Sequence, residues 1–492
     1  MAPDAARSQT TARSRDQTHY DGSVPHRLSL SQMAALVRDR KLSPIELTQA
    51  HLDRIGQVNP VLNAFVRVEA ESALAAAKAA EQALATDGAP LGPLHGVPVT
   101  VKDSFDVAGL PTLCGSRFRL DHRAARDSAA AARFRSAGAI ILGKTNCPEF
   151  LSNYESDNFI TGRTNNPWNP DHTSGGSSGG EAAAIAAHCS AGGIGSDGGG
   201  SVRIPAHFCG IAGLKPTPGR VSAAGHFPEI SHPGGLLGVA GPMARSVEDL
   251  KILFGALSGY DPDDPFSAPV PLRAPSLEGL RIGIMEQFYK VPVHPEVRDT
   301  VRKAARALEQ LGFAVEPFEP KGLERAPNLW WFFFGQLPAR FTKRLIEGRE
   351  QDAHWTGTEF MEGALKEAEP TVEQLLTNLA VRDKMRAAFL RQLERFPVLL
   401  MPPCGVTAFR HRERRWPVGE KSIGLFEAMM PATPLNLLGL PGLAVPYGFS
   451  SEGLPIGIQL AGGPYSEELL LEVGLRLEAA RGPLPGPPDR AA

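Results

Sequence analysis

Hydrophobic positions along this chain follow two rhythms, one of helices and one of short buried strands. Ser43, Pro44 and Glu46 combine a capping hydroxyl, a proline at the first helical position and a glutamate three residues after the cap, so a helix is predicted to begin there. Leu47, Ala50, Leu52 and Ile55 keep roughly helical spacing, and Gly56 is placed to end it. The alanine-rich residues 71–85 predict a second helix. The texture then changes: residues 96–102 and 138–144 are short apolar runs introduced by turn residues, and both read as buried strands. Residues 128–137 between them have helical composition, and strand, helix, strand in succession argues for a sheet covered by helices. Residues 171–200 are rich in glycine and serine yet bracket the helix-forming stretch 181–187, so they punctuate an ordered element and are not a linker.

Further along, residues 280–284 predict a strand, 297–311 an amphipathic helix and 315–317 a returning edge. Residues 321–393 are charged and helical, with an aromatic knot at Trp330, Trp331, Phe332, Phe333 and Phe334, and residues 398–401 and 442–445 read as further buried strands. No internal repeat is present. Residues 1–26 lack any apolar period and predict a disordered arm, and the proline-rich end from 481 to 492 predicts a loose tail.

Composition narrows the class. The chain has 492 residues, 42% of them hydrophobic and 21% charged, which is the range of soluble globular proteins and enough to bury a large core. With 51 basic and 53 acidic residues the net charge is -2, so no broad positive field attracts nucleic acid or an anionic membrane. Five cysteines form neither CxxC pairs nor a dense framework, which fits a reducing, cytoplasmic setting and excludes a zinc ribbon or disulfide scaffold. No apolar run reaches the roughly 18 residues of a membrane span, and the first residues show no basic flank followed by an apolar core, so neither a membrane span nor secretion by that route is expected. Neither HExxH nor any Cys/His set offers a metal site, so no metal or cofactor is expected.

Two glycine and serine clusters carry most of the chemistry, residues 174–181 and 195–205. Consecutive glycines allow backbone N–H groups to converge on one point, as an oxyanion hole requires, and Ser201 follows Gly198, Gly199 and Gly200 directly. A hydroxyl beside such a row of donors is the pairing that acyl transfer needs; a plain flexible loop is the alternative reading. The serine needs a base. His95, His172, His188, His207 and His226 lie near the clusters in sequence without a distinctive spacing, whereas Lys102 ends an apolar strand where burial would favour its neutral amine. A lysine reaching to solvent from a strand end is the competing reading. Asp197 and Arg203 form either a buried pair supporting the loop or a surface salt bridge.

Two familiar patterns are set aside. Gly175, Ser177 and Gly179 match the nucleophile elbow of α/β-hydrolases, but a turn-rich loop precedes them where that motif needs a strand. Gly193, Gly195 and Gly198 match a dinucleotide fingerprint, but the residues up to Pro205 are not expected to open a helix.

Taken together, residues 96–103, 162–169, 175–181, 195–205 and 209–217 resemble the amidase signature family of serine hydrolases, densest from 94 to 222 and looser at 436–441 and 453–457. The resemblance implies an α/β fold, a single large domain over residues 27–480 with a mixed β-sheet core covered by α-helices on both faces. It implies a Ser-Ser-Lys triad: Lys102 the base, Ser177 the bridging serine after a cis peptide, and Ser201 the nucleophile, with the oxyanion held by the N–H groups of Gly198, Gly199 and Gly200. Ser174 departs from the proline usual there. Asn153, Tyr154, Gly175 and Gly176, together with the variable region 321–393, are expected to bind substrate. The five aromatic residues either pack as the core face of a helix or put one or two rings into the acyl pocket. The activity implied is hydrolysis of carboxylic amides of hydrophobic or aromatic acyl compounds, with esters or carbamates as further substrates. The enzyme implied stands alone, as a single chain or a homodimer, using only its small substrate and water and no nucleic acid. The alternative is the glutamine-hydrolysing A subunit of a tRNA amidotransferase, which shares the triad.

Overall fold

The computed structural model describes residues 24–86, 88, 90–229 and 237–489. Residues 1–23 of the expected disordered arm and 490–492 of the expected tail lie outside the described residues. The strands are β1 (Phe65–Val68), β2 (Pro98–Lys102), β3 (Ile140–Thr145), β4 (Gly192–Asp197), β5 (Ala212–Lys215), β6 (Val239–Ala244) and β7 (Arg281–Ile284). They continue with β8 (Ala314–Pro317), β9 (Val398–Met401), β10 (Arg415–Val418), β11 (Lys421–Gly424), β12 (Gly442–Phe449) and β13 (Pro455–Gly462). Eleven of them form one mixed sheet in the order β1-β3-β2-β4-β6-β5-β12-β13-β9-β7-β8, while β10 and β11 make a separate hairpin. β3, β2 and β4 run parallel, as do β9, β7 and β8, and the centre is antiparallel.

Both faces of this sheet are covered, and the alternation of side chains shows it. In β9, Val398 and Leu400 join one core cluster while Leu399 and Met401 join another on the opposite face. In β12, Leu443 and Val445 pack with the first cluster, and Ala444 meets the small buried helices on the other side. The first face carries the helices Leu30–Arg38, Val247–Leu257 and Glu467–Arg481, and the second carries Gly179–Ala186 and Arg203–Cys209. This is the expected α/β arrangement.

The predicted helix at Ser43 begins as read: the Ser43 hydroxyl accepts from the N–H groups of Ile45 and Glu46 at 3.1 and 3.4 Å. It does not end at Gly56 but runs over Pro44–Leu62. Gly56 is exposed, burial of Val58 and Leu62 outweighs its poor propensity, and Asn63 in the left-handed region stops the helix instead. Strands β5 and β6 had no clear pattern, because glycine, alanine and proline make up much of them; burial between neighbours overrides their weak propensity.

Residues 318–397, linking β8 to β9, contain the expected helical region as Ala326–Trp331, a π-helical turn at Phe332–Gln336, Leu337–Ile346, Trp355–Leu365 and Val372–Leu393. No helix among the described residues is long and apolar enough to cross a membrane. Near the C-terminus, Asp489 pairs with Arg54 at 2.6 Å and Arg27 at 2.7 Å.

Leu443, fully buried at the centre of the sheet, tests this packing. Leu443→Ala is expected to cost about 2–5 kcal/mol, read as a lower urea midpoint with an unchanged slope.

Candidate active site

β2 and β4 lie side by side and parallel, β2 ending on Lys102 at the level of Gly195 and β4 running two residues further to Asp197. The Lys102 amine is fully enclosed. Its Nζ lies 2.7 Å from Ser177 Oγ, 2.9 Å from Ser178 Oγ and 3.0 Å from Ser196 Oγ. The Ser178 hydroxyl donates to the Ser196 carbonyl at 3.2 Å, so toward Lys102 it acts as an acceptor. A neutral amine can therefore donate its two hydrogens to Ser178 and Ser196 and turn its lone pair to the Ser177 hydroxyl. Burial favours that form and holds the Lys102 pKa down at about 8. Ser178 and Ser196 had no signal in the sequence beyond lying beside the two expected serines.

The Gly176–Ser177 peptide is cis. Ser178 N–H donates to the Ser201 carbonyl at 3.2 Å, tying the two glycine clusters together. Ser177, Ser196, Gly198 and Ser201 line one cavity of about 430 Å³. Behind them Glu181 accepts from Thr100 Oγ1 at 2.5 Å and Thr145 Oγ1 at 2.6 Å, which fixes the helix Gly179–Ala186 to β2 and β3. At the departure from the family pattern, the Thr173 hydroxyl accepts from Gly175 N–H at 3.0 Å, while the Ser174 hydroxyl has no protein partner among the described residues.

Asp197 and Arg203 form the buried version of their pair, joined by Nε to Oδ2 at 3.0 Å and Nη2 to Oδ1 at 2.9 Å. Burial alone would raise the Asp197 carboxyl, but the charge and hydrogen bonds of Arg203, helped by Lys215 and Asn436, hold it below the usual carboxylate range. The carboxylate also organises the loop: it accepts from Gly200 N–H at 2.7 Å and Val202 N–H at 3.1 Å. Gly200 N–H is thus committed to Asp197, which corrects its expected place as an oxyanion donor. The N–H groups of Gly198, Gly199 and Ser201 have no protein acceptor among the described residues.

The outer side of this loop is held by aromatic residues. Trp330 Nε1 donates to the Gly198 carbonyl at 2.9 Å, and the Tyr154 hydroxyl donates to the Gly199 carbonyl at 2.8 Å. Trp330 and Phe334 stack with centroids 4.7 Å apart. A Cβ at Gly198 would lie 2.6 Å from the Phe334 ring, and one at Gly199 would collide with the Trp330 indole. Glycine is required here by close approach. Of the five aromatic residues, Trp330, Phe332 and Phe333 are buried as core, while Phe334 lines the cavity.

The helix Arg203–Cys209 does open after the loop, against the expectation used to set aside the dinucleotide pattern. Pro205 sits in its first turn, where a missing N–H costs nothing. What removes a pyrophosphate site is that Asp197 already occupies the N–H groups at that end. Among the described residues no histidine hydrogen-bonds Ser177 or Ser201. Burial pushes His226, which lines the cavity, down to about 3, and its Nδ1 meets the Pro228 carbonyl at 2.8 Å. His207, at about 4 through burial, accepts from Gly457 N–H at 2.7 Å.

The residues expected to bind substrate are placed differently. Asn153, Tyr154, Gly175 and Gly176 do not line the serine-bearing cavity. Asn153 Nδ2 donates to Glu359 at 2.7 Å, and a Cβ at Gly176 would lie 2.5 Å from the Asn153 carbonyl, so this turn packs against that strap and leaves no room for a ligand. Gly175 has φ of +85° and backs onto Pro205. The wall is made instead by Phe150, Leu151, Ser152 and Phe227, with Pro338, Thr342 and Leu345 from the helix Leu337–Ile346. Phe150 and Leu151 hold φ of 51° and 60°, a conformation for which their sequence gave no cue.

This fold, with a lysine and serines at its strand ends, defines an amide-cleaving hydrolase, and the chain belongs to the amidase signature family: the Amidase family model matches residues 46–471. It is 36% identical to the A subunit of glutamyl-tRNA(Gln) amidotransferase from Thermosynechococcus vestitus, over 90% of this chain and 95% of that protein. It is also 36% identical to the protein of the same name from Methylococcus capsulatus, over 92% and 97%. Among solved structures, a bacterial aryl acylamidase of the amidase signature family superposes with a TM-score of 0.83 at 29% identity, covering 92% of this chain and 96% of that one. The names of the curated relatives overturn two expectations from the sequence: a stand-alone hydrolase of hydrophobic or aromatic acyl compounds, and the absence of nucleic acid and protein partners.

Arg203→Met tests the loop's support, since it leaves Asp197 buried and uncompensated. It is expected to cost about 3–5 kcal/mol at pH 7. The wild-type carboxyl is depressed, so the pair's stabilisation is present above the unfolded value near 4 and is lost only as pH falls through the lower folded value; without Arg203, burial raises the carboxyl instead, and its protonation between pH 7 and pH 4 relieves the variant's penalty. Urea titrations at pH 7 and pH 4 should therefore show the deficit shrinking in acid.

Proposed function

We propose that this chain hydrolyses the side-chain amide of glutamine through an acyl-serine, as the ammonia-releasing A subunit of a glutamyl-tRNA(Gln) amidotransferase. The observation that carries the reading is the 36% identity over nine-tenths of the chain to proteins named for that role. The gathering of Lys102, Ser177 and Ser201 about one cavity supports the chemistry.

Ser201 Oγ attacks the amide carbon as its proton passes to Ser177, whose own proton passes to neutral Lys102. The oxyanion is held by the N–H groups of Gly198, Gly199 and Ser201, each such donor contributing about 2.7–4 kcal/mol to barrier lowering. The proton returns through Ser177 to the leaving nitrogen, and ammonia departs. Water then takes the place of Ser201 on the acyl carbon by the same relay, releasing glutamate and the free serine. The chain's net charge of -2 leaves the contacts with tRNA to partner subunits.

Ammonia release from glutamine, measured for the purified chain and for its complex with partner subunits and glutamylated tRNA, tests this directly. Hydrolysis of glutamine that rises in the complex is expected; simple amides cleaved while glutamine is left intact in both preparations would overturn it. Ser201→Ala should abolish turnover and fluorophosphonate labelling, and Ser177→Ala and Lys102→Ala should each lower kcat by about 10³-fold or more with the melting temperature little changed, because a relay works as a unit.

The protonated ammonium has no lone pair, so activity is absent while Lys102 holds its third hydrogen and appears as pH rises through about 8. The profile of kcat/KM should climb to an alkaline plateau with its half-point there. A half-point between pH 6 and 7 would point to a histidine.

A further inference from the structure

A second cavity of about 310 Å³ lies behind the glycine loop, and Tyr154 and Trp330 form part of its wall. These are the two side chains whose hydrogen bonds hold the carbonyls of Gly198 and Gly199. Aromatic faces, thioethers and one carboxylate, from Trp331, Phe426, Met429, Met430 and Glu367, make up much of the remaining lining, with Asn328 and Thr433 as its neutral polar members. Trp331 and Phe426 meet edge to face at 4.6 Å, leaving ring surface open to the space. The Glu367 carboxylate takes its hydrogen bonds from two neutral donors, Trp331 Nε1 at 2.7 Å and Gln336 Nε2, and has no ion-pair partner among the described residues. Arg340 donates to the backbone carbonyls of Ala364 at 3.5 Å and Glu367 at 3.2 Å and makes no ion pair with the Glu367 carboxylate.

We infer that this second cavity is a binding site for an apolar organic cation, and that its occupancy is transmitted to the oxyanion loop through Tyr154 and Trp330. Ring faces attract a cation, thioethers and rings accept its apolar body, and a carboxylate that makes no ion pair among the described residues supplies the matching charge. A ligand that presses on Trp330 moves the Gly198 carbonyl and, in the same peptide plane, the Gly199 N–H, while one that presses on Tyr154 bears on the Gly199–Gly200 peptide that Asp197 holds from its other edge. The site shares no lining residue with the serine-bearing cavity, so it does not take the substrate.

Benzyltrimethylammonium is the probe, and phenylacetate, an aryl compound of opposite charge, is its control. Calorimetric titration of the full chain should show one saturable site for the cation and none for the anion. Glu367→Gln, a conservative change at an exposed residue, should weaken binding about fivefold, and Trp331→Leu by a similar factor. Saturating probe should change the rate at which a fluorophosphonate labels Ser201 at least about twofold in the wild type, and the unliganded Glu367→Gln chain should label at the wild-type rate. No saturable binding at tens of millimolar, equal binding of phenylacetate, or binding indifferent to both substitutions would overturn the site. Binding that leaves the labelling rate unchanged would overturn the transmission. The titration does not depend on Ser201 or on glutamine, so failure of the proposed activity leaves its result readable.

Discussion

The buried pair of Asp197 and Arg203 is the constraint on which the rest of the site depends. Taking two charges out of water costs several kcal/mol for each, and attraction between them offsets that only when every remaining donor and acceptor is met. Here they are. Arg203 donates to the Ala432 carbonyl at 3.0 Å, Gln459 Oε1 at 2.7 Å and Asn436 Oδ1 at 2.6 Å, while Asn436 Nδ2 donates back to Asp197 at 2.9 Å. One ion pair thus joins the end of β4, the helix Arg203–Cys209, the helix Thr433–Leu437 and β13. With both ends of the glycine loop held, the Gly199–Gly200 peptide is fixed between Tyr154 and Asp197, and the Gly198–Gly199 peptide takes its hydrogen bond from Trp330 behind it.

Lys102 is held by a different balance. Among the described residues nothing pairs with its charge: its neighbours are three hydroxyls, and burial therefore lowers its pKa and favours the neutral amine. Lys144, one strand away and just as buried, shows the contrast. It lies 2.8 Å from Asp103, which supplies a carboxylate where Lys102 has serines. Two enclosed lysines on adjacent strands serve different ends because of the residues that face them.

The lysine and serines that the proposed reaction would use and much of the cavity wall opposite occupy separate parts of the fold. The lysine, serines and glycines sit at the ends of β2 and β4 and at the starts of two short helices, whereas much of the wall opposite comes from the long connection between β8 and β9. Such a division lets one bond-breaking arrangement serve proteins with different tasks, as the relatives named for aryl acylamide cleavage and for tRNA amidotransfer illustrate. It also explains why the motifs did not reveal which task applies.

From sequence alone the α/β class, the start of the helix at Ser43, the strands ending near Lys102 and Lys144 and the pairing of two glycine clusters were all legible. Each rests on local signals: capping residues, β-branched runs, and glycines where backbone must turn or be approached. The membership of Ser178 and Ser196 in the lysine's surroundings, the burial of Asp197 with Arg203 and the commitment of Gly200 N–H to that carboxylate were not legible. Those depend on which strand lies beside which, and the order β2-β4-β6-β5 brings together residues far apart in the chain. The aromatic knot shows the same limit. Five rings in succession declared that something apolar was needed, but only the stacking of Phe334 on Trp330 and the approach of both to glycines decided which ring would meet the cavity. Local propensity chooses the elements; desolvation and close packing between distant elements choose the site.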